Sequence, residues 1–344
     1  MRADPQTAFG RRRMPAEWEL HAGTLMAWPT RHALWRGAWH QAMAEYAGLA
    51  NAIAAYEPVV MAVTTDQATR ARRRLTRSIE LLEVELDDSW LRDNGPIIVR
   101  DGDGLRTGVH FRFNSWGGKY LPFDRDAAVA APLLEHLGIR REVSPMVLEG
   151  GSITVDGEGT LITTEQCLLN ANRNPHLTRE QIEAELRVRL GVEVIVWLPY
   201  GHFYDRDTDG HVDGVATFVA PGRVMVQACE DPDHPDHKRM RANLAVLRAA
   251  RDARERSFEV IEVPQYAPGV VDGQAVSVPY LNIYFANGAL IVPLGGHPND
   301  DQVLALMAEG APGRDVIGVP GAAIAFGGGG PHCVTQQIPA EEAE

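Results

Sequence analysis

Four short clusters hold most of the residues in this chain that could do chemistry. They are Trp90-Leu91-Arg92-Asp93-Asn94-Gly95-Pro96, Leu148-Glu149-Gly150-Gly151-Ser152, Asp207-Thr208-Asp209-Gly210-His211-Val212-Asp213-Gly214 and Gly327-Gly328-Gly329-Gly330-Pro331-His332-Cys333. Between them they offer a thiol, an imidazole and several carboxylates, which is the set from which covalent catalysis by a cysteine is built. Cys333 follows four glycines, so the chain before it can turn sharply and let a ligand approach. An unperturbed thiol with a pKa of ~8.5 is only a few per cent ionised at pH 7, so Cys333 needs a cationic neighbour or a bound cation to act as a nucleophile. His211 can serve as general acid and base, with Glu149 orienting it and favouring its charged form. Asp93 and Asp213 can act as a pair, because a guanidinium presents a planar fork of donors that carboxylates match two at a time. Taken alone, Asp93 before Asn94-Gly95-Pro96 is as readily a turn former. Cys167 and Cys229 lie in apolar, strand-like surroundings and read as structural thiols.

Other motifs carry less. The glycine run at 327–330 lacks the Lys-Ser/Thr of a phosphate-binding loop. Asp101-Gly102-Asp103-Gly104 lacks the Glu that closes a calcium loop. His234 and His237 stand in what reads as an exposed loop before a helix. No metal and no organic cofactor is expected.

The elements that must position these residues recur along the chain. Four segments read as strand, tight turn, strand: 96–113, 152–164, 215–227 and 281–293, with turns at Asp-Gly, Pro-Gly or Asn-Gly. Their starts are 56, 63 and 66 residues apart, and the candidate positions 93, 149 and 211 step by 56 and 62. Cys333 lies a further 122 residues on, close to two more steps. Helical patterns and apolar strands follow several hairpins. Thr178-Arg179-Glu180-Gln181 has capping-box spacing and opens a helix to Leu190, ahead of a strand at 192–198. Helices at 237–256 and 300–308 lead to strands at 258–263 and 316–319, and the N-terminal part supplies strand 25–29, helix 38–56 and strand 59–64. The unit is ββαβ, and about five of them fill the chain. A ring closed by the two termini would hide the sheet edges of such a set. The predicted fold is a radial α/β arrangement of about five such units forming one domain over 1–344; a doubly wound sheet is the alternative, made less natural by a hairpin at every step.

The 344 residues carry 33 basic and 46 acidic side chains, a net charge of −13. That balance argues against a nucleic-acid or anionic-membrane partner, which would be held through clustered Lys and Arg, and suits a small cationic substrate. The local exception, Arg70 to Arg77, reads as a solvated face. Three scattered cysteines make no disulfide framework, no apolar run reaches the ~18 to 20 residues of a membrane span, and Arg11-Arg12-Arg13 is followed by no secretory h-region. A cytoplasmic protein is expected.

Together the clusters resemble the agmatine deiminase family of guanidine-modifying enzymes, related to bacterial peptidylarginine deiminase. The resemblance runs from Met14-Pro15-Ala16-Glu17-Trp18 to Cys333-Val334-Thr335-Gln336-Gln337. It includes Asn114-Ser115-Trp116-Gly117-Gly118-Lys119-Tyr120, Asn172-Arg173-Asn174-Pro175-His176 and Asn282-Ile283-Tyr284-Phe285-Ala286-Asn287-Gly288. It implies the pentein fold, a five-bladed α/β propeller, and places Cys333 as nucleophile, His211 as general acid and base, Glu149 as its partner, and Asp93 with Asp213 as guanidinium clamp. By the same resemblance Trp90 lines the guanidinium pocket, Asp207 sits near the substrate's amine end, and Gly328 and Gly329 shape the nucleophile loop. The implied reaction converts agmatine to N-carbamoylputrescine and ammonia, with a possible homodimer as the assembled form. Another guanidino compound, peptidylarginine, or amidino transfer to an amine are the alternatives, ahead of a non-catalytic guanidine-binding protein. Asp209, Gly214, Leu25 and Pro331 depart from the family pattern and are expected at the pocket wall, where Asp209 would add negative charge for a cationic tail.

Overall fold

The structure is a computed structural model that describes residues 12–341, so Arg11 of the basic run lies outside the described residues. Its strands form five small mixed sheets and one two-stranded ribbon. Four sheets share one plan, in which an antiparallel hairpin is extended by a parallel third strand after a crossover. They are Ile97–Arg100, Arg106–Arg112 and Arg140–Val147; Ile153–Val155, Thr160–Thr164 and Val194–Leu198; Ala216–Ala220, Arg223–Ala228 and Glu259–Pro264; and Tyr284–Ala286, Ala289–Leu294 and Asp315–Pro320. The predicted hairpins are all present. Two turn on pairs whose second residue is a glycine at positive φ, Gly222 at 70° and Gly288 at 79°, a conformation that disfavours a Cβ.

The remaining sheet closes the set. The C-terminal strand Thr335–Pro339 pairs antiparallel with His21–Ala27, which pairs in parallel with Val59–Val63. The first blade therefore obtains its hairpin partner from the far end of the chain, and the fold is a five-bladed α/β propeller. This closure carries Cys333 into the ring. Five strands were not anticipated from the sequence: Glu80–Glu83, a fourth strand on the first blade; Arg140–Val147; Thr335–Pro339; and the two of the ribbon, Gly269–Val271 with Gln274–Val276.

Helices pack outside the sheets. Trp39–Ile53 buries Trp39, Met43, Tyr46, Leu49 and Ile53, the apolar stripe that defines it in the sequence. Each such side chain contributes ~1.5–3 kcal/mol by leaving water. Arg179–Leu190 begins at the Thr178/Gln181 capping box and stops at Gly191, which is left-handed. The helix expected over 237–256 ends earlier, at Ala249, and Asp252 instead accepts backbone N–H groups of Arg254 and Arg256 in a turn. Among the described residues, no helix is long and apolar enough to cross a membrane. Arg70, Arg73, Arg74 and Arg77 are exposed at the end of helix Thr65–Arg72 and beyond it, as expected of a solvated face.

Candidate active site

Each predicted catalytic residue stands just before the first strand of a blade. Asp93 lies in the helical turn Leu91–Asn94 ahead of Ile97, and Glu149 precedes the turn Gly150–Ser152 that leads into Ile153. His211 caps the turn Val212–Gly214, which carries Asp213 and leads into Ala216, and Cys333 stands two residues before Thr335. Equivalent strand ends converge in a propeller, so residues far apart in sequence meet. All five are at most 6% exposed, so their charges act on one another with little screening by water.

His211 Nδ1 is 3.8 Å from Asp93 Oδ1, and its Nε2 is 3.8 Å from Glu149 Oε2. Neither ring nitrogen has a hydrogen-bond partner among the described residues, and neither does Glu149 Oε2. The other Glu149 oxygen accepts from Arg173 Nε at 2.7 Å. Asp93 is held from both sides, by Trp116 Nε1 at 2.9 Å and by the Gly151 N–H at 3.0 Å. Asp213 Oδ2 is 2.9 Å from His332 Nδ1 and 3.4 Å from Cys333 Sγ. Behind it, His332 Nε2 is 2.8 Å from Glu17 Oε1, which also lies 3.4 Å from Arg92 Nη1.

These distances set the charges. Burial, with Asp213 and Asp93 nearby, pushes the Cys333 thiol well above its ordinary value. Burial opposes the charged form of His211, yet Asp93, Cys167 and Glu149 outweigh it and hold the imidazolium well above its usual range. Asp93 is raised by burial. Asp213 is lowered, because His332 more than offsets its burial, and Glu149 is lowered because Arg173 and His211 do the same for it. The resting site thus holds a protonated thiol, a protonated imidazole and paired carboxylates, a negative surround in want of a flat cation.

A cleft of roughly 350 Å³ opens onto this cluster, lined by Trp90, Asp93, Trp116 and Cys333 at depth and by Asp88, Tyr120, Asp207, Thr208 and Gly328 among others. None of its lining residues is basic. Trp90 stacks on Trp35 at 5.8 Å, which fixes its ring. Asp207 accepts from the Tyr120 hydroxyl. Gly329 stands beside Cys333, where a Cβ would come within 2.6 Å of Trp90 and 2.9 Å of Cys333 Sγ.

Comparison with known proteins agrees with this architecture. Residues 13–339 match the Porphyromonas-type peptidyl-arginine deiminase family. The chain belongs to that family. It is 45% identical to the agmatine deiminase of Stutzerimonas stutzeri (strain A1501) and 43% identical to that of Pseudomonas aeruginosa (strain UCBPP-PA14), each match covering 95% of both chains. The agmatine deiminase of Enterococcus faecalis superposes with a TM-score of 0.91 at 33% identity, over 97% of each chain. A cysteine-to-serine variant of the C. jejuni agmatine deiminase with substrate bound superposes with 0.88 at 25% identity, over 96% of this chain and 97% of that one. Dimethylarginine dimethylaminohydrolase from Pseudomonas aeruginosa, at 13% identity and a TM-score of 0.52 over 93% of this chain and all of the other, shares the fold.

Within this deiminase, several residues at the site escaped the sequence reading. His332 and Arg173 were parts of quoted motifs without a role, yet one pins Asp213 and the other pins Glu149. Gly151 is where a Cβ would stand 2.6 Å from His211 Nδ1 and 2.9 Å from carboxylate oxygens of Asp213 and Asp93, a signal readable only once those three are known to meet. Asp88 lines the cleft with its pKa raised to about 6 by burial and its Oδ2 on Arg31 at 2.8 Å.

Three expectations need correction. Cys167 is not in strand-like surroundings; it sits in the helical turn Glu165–Leu168, its sulfur within 4.8 Å of donor atoms of Glu149 and His211. Those three could bridge a metal ion by spacing, but the Arg173 guanidinium on Glu149 Oε1 places a positive charge beside them that opposes a second cation there. Asp209 adds no free charge to the cleft, because Lys119 and Arg173, each at 2.8 Å, and Asn172 at 2.9 Å take its oxygens. Leu25, Gly214 and Pro331 are absent from the cleft lining; Leu25 is packed in the core of the first blade.

Proposed function

We propose that this protein is an agmatine deiminase, hydrolysing agmatine to N-carbamoylputrescine and ammonia through a covalent intermediate on Cys333. One observation supports the reading above others: a buried sulfur and imidazole sit among carboxylates at the floor of a cleft whose lining holds acidic and aromatic side chains and no basic one. In this reading a guanidinium binds between Asp93 and Asp213, donating N–H groups to their carboxylates. Its positive charge offsets the two carboxylates that hold the Cys333 proton, so the thiol ionises as the cation binds, its proton passing to solvent. The thiolate adds to the guanidinium carbon, forming a C–S bond. His211 gives its proton to one terminal nitrogen, the C–N bond breaks and ammonia leaves, so that a thiouronium joins the remaining amidine to sulfur. Neutral His211 then takes a proton from water, the hydroxide adds to the same carbon, the C–S bond breaks to release the thiolate, and the hydroxyl proton passes to solvent to leave the neutral ureido product. Glu149, fixed by Arg173, holds the imidazole through both proton transfers. The amine of agmatine extends toward Asp207, since a carboxylate tail would meet no basic side chain along the cleft.

Purified protein with agmatine should release ammonia and N-carbamoylputrescine in equal amounts. Cys333→Ala should lower turnover by at least roughly 10⁴-fold while agmatine still binds, because the clamp is untouched. Release of ammonia from arginine or peptidylarginine but not from agmatine would reject the substrate and leave the chemistry standing. Transfer of the amidino group to added amines in place of hydrolysis would reject the hydrolase.

A further inference from the structure

The spacing of the candidate positions leaves a gap. From Asp93 to Glu149 to the His211/Asp213 pair each blade contributes a group, and then nothing is assigned between Asp213 and Cys333. The fifth sheet begins at Tyr284, and the residue at the equivalent place before its first strand is Asn282, 71 residues after His211 and 51 before Cys333. It is 2% exposed and its Nδ2 lies 3.1 Å from Cys333 Sγ.

We propose that Asn282 is a catalytic residue: its side-chain amide donates a hydrogen bond to the Cys333 sulfur and stabilises the attacking and departing thiolate. The proposal rests on the reading of Cys333 as nucleophile. The orientation of the amide follows from its other contact. The Cys333 backbone N–H, which can only donate, points to Asn282 Oδ1 at 3.2 Å, so the oxygen must face the backbone and the NH₂ must face the sulfur. The residue cannot drift. Its own N–H donates to Pro279 O at 2.9 Å, and its carbonyl accepts from the His332 N–H at 3.3 Å. Gly330 passes so close that a Cβ there would stand 2.6 Å from Oδ1.

The need for such a donor comes from the sulfur's other neighbours. Asp213 Oδ2 is 3.4 Å away, and both Asp213 and Asp93 oppose a negative sulfur. The substrate cation offsets them during attack. Once the guanidinium has become a neutral ureido product, the regenerated thiolate faces those carboxylates without it, and the amide N–H together with the backbone N–H of Gly330 remains. A hydrogen bond to an ionised acceptor is roughly twice as strong as one to a neutral acceptor, so the amide favours thiolate over thiol.

Two variants separate this role from simple positioning of the loop. Asn282→Asp keeps an oxygen for the Cys333 N–H and nearly the same shape, but turns a carboxylate oxygen toward the sulfur. Asn282→Ala loses both contacts. The measurement is the rate of Cys333 alkylation by iodoacetamide against pH, which needs no substrate, alongside kcat and KM for agmatine. The expected result is an alkylation midpoint shifted to higher pH in both variants, with kcat reduced about 10- to 100-fold in Asn282→Ala at nearly unchanged KM, and at least tenfold further in Asn282→Asp. If Asn282 only braces the loop, Asn282→Asp will match the wild-type alkylation profile and exceed Asn282→Ala in kcat, and the proposal is overturned. Wild type inactive toward agmatine, with the alkylation shifts present, would remove the substrate reading and uphold Asn282.

Discussion

The two ends of the cleft are built differently. At the reactive end, Asp93, Glu149, His211, Asp213 and Cys333 are buried, and the carboxylates are each fixed by a partner from another part of the chain: Trp116, Arg173 and His332. At the rim, Asp207 sits on a loop tied down by Lys119, whose ammonium donates to the carbonyls of Arg206 and Asp207 at 2.6 and 2.8 Å, while Phe203 and Tyr204 on the same loop are largely exposed. Burial makes each charge at the floor act strongly on the others, and solvent weakens each charge at the rim. The floor therefore sets the chemistry and the rim tunes which tail is accepted. A substitution at the floor should alter kcat and the thiol's ionisation, and one at the rim should alter KM.

Asp93→Asn tests the floor most severely. In the proposed mechanism half the clamp then loses its charge, so kcat/KM for agmatine should fall by roughly 30- to several-thousand-fold. The free thiol should respond in the opposite sense, since Asp93 helps hold the Cys333 proton. Neutral iodoacetamide should alkylate this variant faster than wild type at pH 7. Slower alkylation would mean that Asp93 does not act on the sulfur.

Gly151→Ala places a methyl group against His211, Asp93 and Asp213 at once, and kcat should drop about 10²-fold through displacement of reacting groups. A crystal structure of the variant with unmoved side chains and full activity would refute the close packing. At the rim, Asp207→Asn should raise KM for agmatine about tenfold with kcat within about twofold, and should leave KM for a guanidine lacking the amine unchanged. Equal effects on both substrates would place the amine elsewhere. The smallest change is expected for Asp209→Asn. Asp209 has φ of 60°, which Asn tolerates as well; one amide oxygen can keep the Arg173 and Asn172 donors, while Lys119 retains the carbonyls of Arg206 and Asp207, so steady-state constants should stay within about threefold.

Much of the reactive end was legible because a propeller repeats. Hairpin turns at Asp-Gly, Pro-Gly and Asn-Gly mark four of the five blades locally, and a similar step separates the candidate residues, so Asp93, Glu149 and His211 could be aligned before any coordinates. The resemblance to the deiminase family supplied the roles and the clamp. What stayed hidden was relational. Asn282 looks like any strand-flanking Asn until Cys333 is seen beside it, Gly151 looks like any loop glycine, and the pairing of Thr335–Pro339 with His21–Ala27 joins the two ends of the chain with no local sign. Asp209 misled for the same reason: its charge is visible in the sequence, whereas its neutralisation by Lys119 and Arg173 is a fact of three dimensions.

The central claim is that a guanidinium carbon becomes bonded to the sulfur at 333. Acid quenching of wild-type protein during turnover of agmatine, followed by peptide mass spectrometry, reads this directly. The account predicts that the peptide containing Cys333 gains the mass of agmatine less one ammonia, and that the gain disappears in Cys333→Ala. Full turnover with no adduct at any quench time, or an adduct carried by Cys167 or Cys229, would contradict it.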